Sequence, residues 1–183
     1  MDKIKVTNIF AAVWDKSMLD SLLETLDKRA VKFWGTEGTV KYLKSKGFSA
    51  KSIVSGFDFD GRVKTLDRSV FVRILADRTN PKHLNELKKL NMPAIDLVIV
   101  DLYPPDKSIF PESMDIGGQS LIRAAIKNYK NVGLAYDPMG VFNLAGELRR
   151  NVGETTLEFR KRQAKTALKF IADRCKLEAD FGI

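Results

Sequence analysis

The stretch Asp115-Ile116-Gly117-Gly118 packs the most chemistry into the fewest residues of this chain and stands directly before an amphipathic run that carries Arg123 and Lys127. A carboxylate in that position either caps a helix or faces, as a base, a ligand that the glycines admit close to the backbone. Asp101-Leu102-Tyr103-Pro104-Pro105 ends an apolar run in prolines, which fix the backbone and present Tyr103 beside a strand end. Gly35-Thr36-Glu37-Gly38-Thr39 is a small-residue turn leading into a helix, where free backbone N–H groups suit a phosphate. Asp15-Lys16 adds one charge of each sign, and Gly61-Arg62-Val63-Lys64-Thr65-Leu66 sets two cations and a hydroxyl in a polar loop. These residue types suit anion binding and proton transfer. Taken singly, each also reads as ordinary structure: a helix cap, a rigid exit turn or a surface loop.

The elements that must position them follow from length and patterning. The chain has 183 residues, 44% hydrophobic and 30% charged, close to ordinary globular usage. We expect one domain over 1–183, with a core over about 1–150 and a C-terminal helix over about 155–177. Short apolar runs alternate with amphipathic stretches, which predicts an α/β fold: a doubly wound, mostly parallel sheet with helices on both faces. The pattern places strands over Ile4 to Val13, Val31 to Trp34, Asp96 to Val100 and Val132 to Ala135. Helices are expected after Ser17-Met18-Leu19-Asp20, from the Gly/Thr turn to near Gly47, over Pro81 to Asn91 and over Gly118 to Asn128. In the C-terminal helix, Leu157, Ala164, Leu168, Ile171 and Cys175 form the expected docking stripe, with Arg160, Lys161, Arg162, Lys165 and Lys169 on the outer face. In a parallel sheet, ligands bind outside the carboxyl ends of the strands, which is where these polar loops fall.

Composition narrows the function classes. No apolar run approaches the about 20 residues of a membrane helix, and Met1 to Lys5 is no secretory leader, so we expect a cytoplasmic protein. One His and one Cys far apart cannot supply a zinc ligand set. His83 follows Asn80-Pro81-Lys82 and reads as a solvated residue at a helix start. The net charge of +8 favours anionic partners: a phosphorylated metabolite, nucleic acid or an anionic surface. The cations of the C-terminal helix lack the interleaved aromatics of a single-strand platform, so no specific nucleic acid and no membrane partner is expected.

Read in order, Asp15-Lys16, the Gly-Thr-x-Gly-Thr turn, Gly61-Arg62-Val63-Lys64-Thr65-Leu66, Leu102-Tyr103-Pro104, Asp115-Ile116-Gly117-Gly118 and Arg123-Ala124-Ala125-Ile126-Lys127-Asn128 resemble IMP cyclohydrolase. That family is the N-terminal domain of the bifunctional purine biosynthesis protein that also carries AICAR transformylase. The resemblance runs from about Val6 through the C-terminal helix. It implies a methylglyoxal-synthase-like fold and a hydrolase that closes 5-formamidoimidazole-4-carboxamide ribotide to IMP by loss of water. It further implies no metal or other cofactor, a homodimer, and no transformylase activity in a stand-alone domain. Carried over by the same resemblance, Lys64 and Thr65 donate to the formyl oxygen and Asp115 orients or deprotonates the carboxamide nitrogen. Lys127 is expected close to Tyr103 and Asp115, one of the three protonating the leaving hydroxyl. Lys16, Thr36, Gly38, Thr39 and Arg62 are assigned to phosphate and ribose, and Asp101, Ile116 and Gly117 to the rest of the substrate.

Several positions depart from the family pattern. Trp14 replaces a Ser before Asp-Lys, Gly35 and Glu37 replace Ser and Gly in the phosphate turn, and Asp67-Arg68 replaces His-Pro. Phe71-Val72-Arg73 stands for His-Gly-Gly, Asp101 for an Asn and Tyr129 for a His. Glu37 beside a phosphate would cost about 4 kcal/mol at about 4 Å and an effective dielectric near 20, unless it points away or is paired. The proposed reacting set survives while its surroundings change, which favours a divergent enzyme and allows an altered nucleotide. The alternative is a non-catalytic purine-nucleotide-binding regulatory module.

Overall fold

A computed structural model describes residues 2–53, 63 and 65–182. Its centre is a parallel five-stranded sheet of β2 (Asn8–Ala12), β3 (Lys32–Gly35), β4 (Ala50–Ser52), β5 (Leu97–Val100) and β6 (Gly133–Ala135), in the order β4-β3-β2-β5-β6. The period of two divides its residues between two cores. Ile9, Ala11, Phe33, Leu97, Ile99 and Ala135 face one side, where α1 (Asp20–Leu23), α2 (Glu37–Ser45) and α6 (Pro138–Arg150) supply Leu22, Leu43, Val141 and Leu144. Phe10, Trp34, Val98 and Leu134 face the other, against Val70 and Ile74 of α3 (Arg68–Ile74), Leu121 and Ile122 of α5 (Ile116–Lys127), and Ala167 and Ile171 of α7 (Leu157–Phe181). Helices thus cover both faces, as the alternating pattern predicts. At Gly35 a Cβ would come 1.9 Å from the Ala11 carbonyl oxygen, so only glycine lets β3 close on β2 there.

Several elements differ from the sequence reading. The first expected strand is two: β1 (Lys3–Lys5) leaves the main sheet and pairs antiparallel with β7 (Glu154–Thr156), while β2 begins at Asn8. The helix expected after Ser17 is a 3-10 turn over Lys16–Leu19 capped by Asp15, running into the single-turn α1. β4, α3 and α6 carry patterns too short or too mixed to separate from their loops. The helix over Pro81–Lys89 (α4) stops short of Asn91, whose φ of 52° ends it. His83 lies exposed on α4 and its Nδ1 accepts the Asp77 N–H at 3.1 Å.

The largest correction concerns α7. Of the expected docking stripe, Ala164 and Ile171 are buried, but Leu168 and Cys175 are exposed. Arg160, assigned to the outer face, is fully buried and donates to the carbonyls of Tyr129 at 3.1 Å and Lys130 at 3.2 Å. The helix packs through Phe159, Arg160, Gln163, Ala164, Ala167, Ile171, Arg174 and Glu178, a stripe that satisfies its polar members with hydrogen bonds. Lys161, Arg162, Lys165 and Lys169 do face solvent. Among the described residues no helix is long and apolar enough to cross a membrane.

Asp96, just before β5, ties the amino ends of the central strands. Its Oδ2 accepts from the Thr7 N–H at 2.8 Å, the Thr7 hydroxyl at 2.9 Å and the Asn8 N–H at 2.7 Å, and its Oδ1 takes Arg78 Nη2. Arg78 in turn donates to the carbonyls of Ile95 at 3.1 Å and Asn131 at 3.2 Å. Removing one partner of such a buried pair strands the other, so Asp96→Ala should cost about 3–5 kcal/mol of stability in a urea titration. A loss below about 1 kcal/mol, the ordinary range of exposed pairs, would show that this knot holds little.

Candidate active-site crevice

The strand order reverses between β2 and β5, so their exit loops part toward opposite faces and open a crevice at the carboxyl edge of the sheet. Asp101 sits at that parting, and its carboxylate accepts the backbone N–H groups of Trp14 and, at 2.9 Å, Asp15. Asp101, expected on the substrate, spends its oxygens on holding the opposite loop. Asp15 likewise serves the backbone, its Oδ1 accepting from Ser17 N at 2.9 Å and the Ser17 hydroxyl at 2.7 Å.

On the β3 side, the first helical bond of α2 runs from Val40 N–H to the Thr36 carbonyl at 2.9 Å, and the Thr36 side chain makes no cap bond. The N–H groups ahead of that bond face the helix end, where the dipole favours an anion. Lys16 lies across this end: its Cε is 3.9 Å from where a Gly38 Cβ would stand, and its ammonium holds the Trp14 carbonyl at 2.8 Å. Lys16, Thr36 and Gly38 therefore share one corner. Thr39 does not offer its hydroxyl. Fully buried, it accepts from Val13 N–H at 3.2 Å and from the Thr36 hydroxyl at 3.1 Å, and donates to the Val13 carbonyl at 3.4 Å. Glu37 is exposed in the first turn of α2.

Across the crevice, Asp115 caps α5, its Oδ1 accepting Gly118 N–H at 2.6 Å. It is only 6% exposed, and burial raises its carboxyl above the usual range. The Gly118 N–H and Arg174 oppose that rise, whereas Asp101 and Glu178 add to it. The two glycines admit protein atoms where a ligand was expected. A Cβ at Gly117 would lie 2.2 Å from the Thr65 hydroxyl oxygen, and one at Gly118 would lie 2.4 Å from Leu102 Cδ2 and 2.8 Å from both Asp115 oxygens. The pair thus seats the Thr65 hydroxyl against Gly117 on the first turn of α5 and leaves Ile116 exposed. Tyr103 is 40% exposed and meets the Trp14 ring edge-on at 6.2 Å. Burial raises its phenol, the Asp115 charge adds to the rise, and Arg174 opposes it.

Lys127 is not part of this group. It lies exposed in the last turn of α5, twelve residues beyond Asp115 or about 18 Å along the axis, at the opposite edge of the sheet. Its neighbour Asn128 bonds there to the carbonyls of Ile74 at 2.7 Å and Ala76 at 2.9 Å. Arg62 and Lys64 lie outside the described residues. Among the described residues, the cation acting on Tyr103 and Asp115 is instead Arg174 of α7, which donates from Nη2 to the Tyr103 carbonyl at 2.6 Å. Nothing in the sequence marks it, since Arg174 and Glu178 at i, i+4 read as an exposed helix pair. Among the described residues, no group of three or more His, Cys, Asp or Glu gathers as a metal site.

Comparison with known proteins agrees with this architecture. The chain is 33% identical over 178 residues to the bifunctional purine biosynthesis protein PurH of Rhizobium etli (strain CIAT 652), covering 91% of this chain and 33% of that protein. PurH of Paracoccus denitrificans (strain Pd 1222) is 36% identical, with 91% of this chain and 34% of that protein covered. The chain thus spans about a third of the length of these curated relatives. Among solved structures, the crystal structure of ForH matches with a TM-score of 0.78 and 27% identity, covering 96% of this chain and 95% of that one. The profile of the MGS-like domain matches residues 18–134, and the chain belongs to that family.

Proposed function

We propose that this chain is an IMP cyclohydrolase acting in purine biosynthesis, closing a formylated imidazole carboxamide ribotide to IMP. The observation that carries the reading is the pairing, across one crevice, of an anion-binding corner with a proton-transfer cluster. Lys16 and the start of α2 form the first, and Asp115, Thr65 and Tyr103 form the second. The likeness to part of PurH supports the same assignment.

The ribotide phosphate lies at the α2 end, against Lys16, Thr36 and the Gly38 backbone. The imidazole carboxamide reaches across to the start of α5. The carboxamide nitrogen attacks the formyl carbon, forming the C–N bond of the six-membered ring, and the formyl oxygen gains the charge. Thr65 donates to that oxygen, together with Lys64. Asp115 accepts the proton from nitrogen. Its raised pKa makes it a stronger base than an ordinary carboxylate, and it is charged only above that pKa. The charged oxygen takes a proton to become the carbinolamine hydroxyl, which takes a second and leaves as water while the formamide nitrogen gives up its own proton and forms the ring C=N bond. Tyr103 is the donor, because its raised pKa keeps the phenol protonated through neutral pH. Fixing both reacting groups in one crevice contributes up to about 7–11 kcal/mol. Lys127 takes no step in this scheme.

Purified protein given the formylated ribotide should form IMP, followed by absorbance, and Asp115→Asn should lower kcat about 10²–10⁴-fold. Tight IMP binding with no turnover would reject the enzyme in favour of a regulatory module. The wild-type rate should also fall as pH drops through the Asp115 pKa, with the acid limb above the ordinary carboxylate range. A limb at or below that range would remove Asp115 as the base.

Glu37→Gly tests the phosphate corner. An exposed like charge at about 4 Å costs about 1 kcal/mol in water, so its loss should tighten ribotide binding roughly fivefold by calorimetry. An unchanged Kd would move the phosphate away from α2.

A further inference from the structure

Arg174 and Glu178 are each less than a tenth exposed, and they pair at 2.9 Å between Nε and Oε1. The pair also bridges three segments. Arg174 Nη2 reaches the Tyr103 carbonyl at 2.6 Å, while Glu178 accepts Gln119 Nε2 of α5 at 3.0 and 3.1 Å. A buried ion pair is a poor way to gain stability, because apolar side chains of the same volume do as well or better. This one lies where its charges act on the cluster. Among the described residues, the ionic groups acting on Asp115 are Arg174 and Glu178 from α7 and Asp101 from the end of β5. The Tyr103 phenol feels both Asp115 and Arg174.

We infer that Arg174 and Glu178 are positioning residues for ring closure: Arg174 fixes the Tyr103 segment and is the cation facing Asp115, while Glu178, anchored by Gln119, aims the guanidinium. The assignment rests on the function proposed above. It gives α7 a part in the chemistry, and it places a cation at the spot where sequence resemblance expects Lys127. No proton passes through either side chain. Arg174 acts by holding a carbonyl and by favouring the charged form of Asp115, and Glu178 offsets that charge in part.

The two members therefore act on Asp115 with opposite sign, which mere packing would not do. The test follows the Asp115 carboxyl by carbon-13 NMR titration in the wild type, Arg174→Met and Glu178→Gln, with kcat and KM measured on the formylated ribotide. Arg174→Met should move the Asp115 midpoint upward and lower kcat by ~10²-fold with a smaller change in KM, as expected when a reacting group is displaced. Glu178→Gln keeps the shape of the side chain and should move the midpoint downward. Arg174→Lys should recover part of the wild-type midpoint and rate, and it takes the place of the Met variant should that one not fold. Midpoints that stay put, or move the same way in both single variants, would overturn the inference even if the wild type turns over. A wild type without turnover would instead remove ring closure, and opposite shifts in that case would still support the pair's control of Asp115.

Discussion

The crevice depends on a single carboxylate that binds backbone. Asp101 stands at the end of β5 and accepts two consecutive backbone N–H groups from the loop that leaves β2. Those strands are neighbours in the sheet, yet their chains turn to opposite faces, so the two N–H groups would otherwise be left at the mouth without partners. The contact sets the Trp14-Asp15-Lys16 turn, and with it the direction of Lys16 toward the start of α2. It also fixes Trp14 edge-on to Tyr103. An uncharged Asn in this place offers one acceptor oxygen where Asp offers two. The carboxylate can therefore hold both N–H groups, which accounts for Asp where the family pattern has Asn.

Buried Thr39 does similar work on the other side, binding both polar groups of the Val13 backbone. Residues that resemblance assigns to the substrate thus divide into two kinds. Lys16, Thr36 and Gly38 meet at the start of α2, and Thr65 and Asp115 stand at the start of α5 with Tyr103 within reach of the Asp115 charge, while Asp101, Thr39 and the Gly117-Gly118 pair build the frame that holds them. A sequence motif records both kinds equally, because each is indispensable at its position.

What the sequence reveals follows from the same distinction. The strand-helix alternation and both covered faces were legible because Ile9, Phe10, Val98 and Ile99 are apolar on both sides of the sheet. The caps at Asp115 and Asn80 were legible from local spacing, since a cap acts over three residues. Long-range pairing was not. The β1 and β7 strands are three residues each and exist only because Ile4 lies opposite Thr155. Lys127 was misplaced because motif order carries no distance, whereas a helix converts twelve residues into three turns of separation. The buried face of α7 was misread because hydropathy scores Arg160, Arg174 and Glu178 as solvent-facing. Their partners lie on Tyr129, Lys130, Tyr103 and Gln119, far away in sequence.

Asp115 and Tyr103 are both pushed upward, and burial is the first cause for each. A base works above its pKa and an acid below its own. Raising both shifts the working window toward alkaline pH without closing it, since the carboxyl remains far below the phenol. Each group's charged state also raises the cost of charging the other. When Asp115 takes the proton from nitrogen its charge is lost, and Tyr103 becomes a better acid at the step where the hydroxyl must leave. Arg174 opposes the rise in both groups, favouring the carboxylate and the phenolate alike. A fixed cation there keeps Asp115 charged in a buried site, and the same cation stabilises Tyr103 as its proton departs.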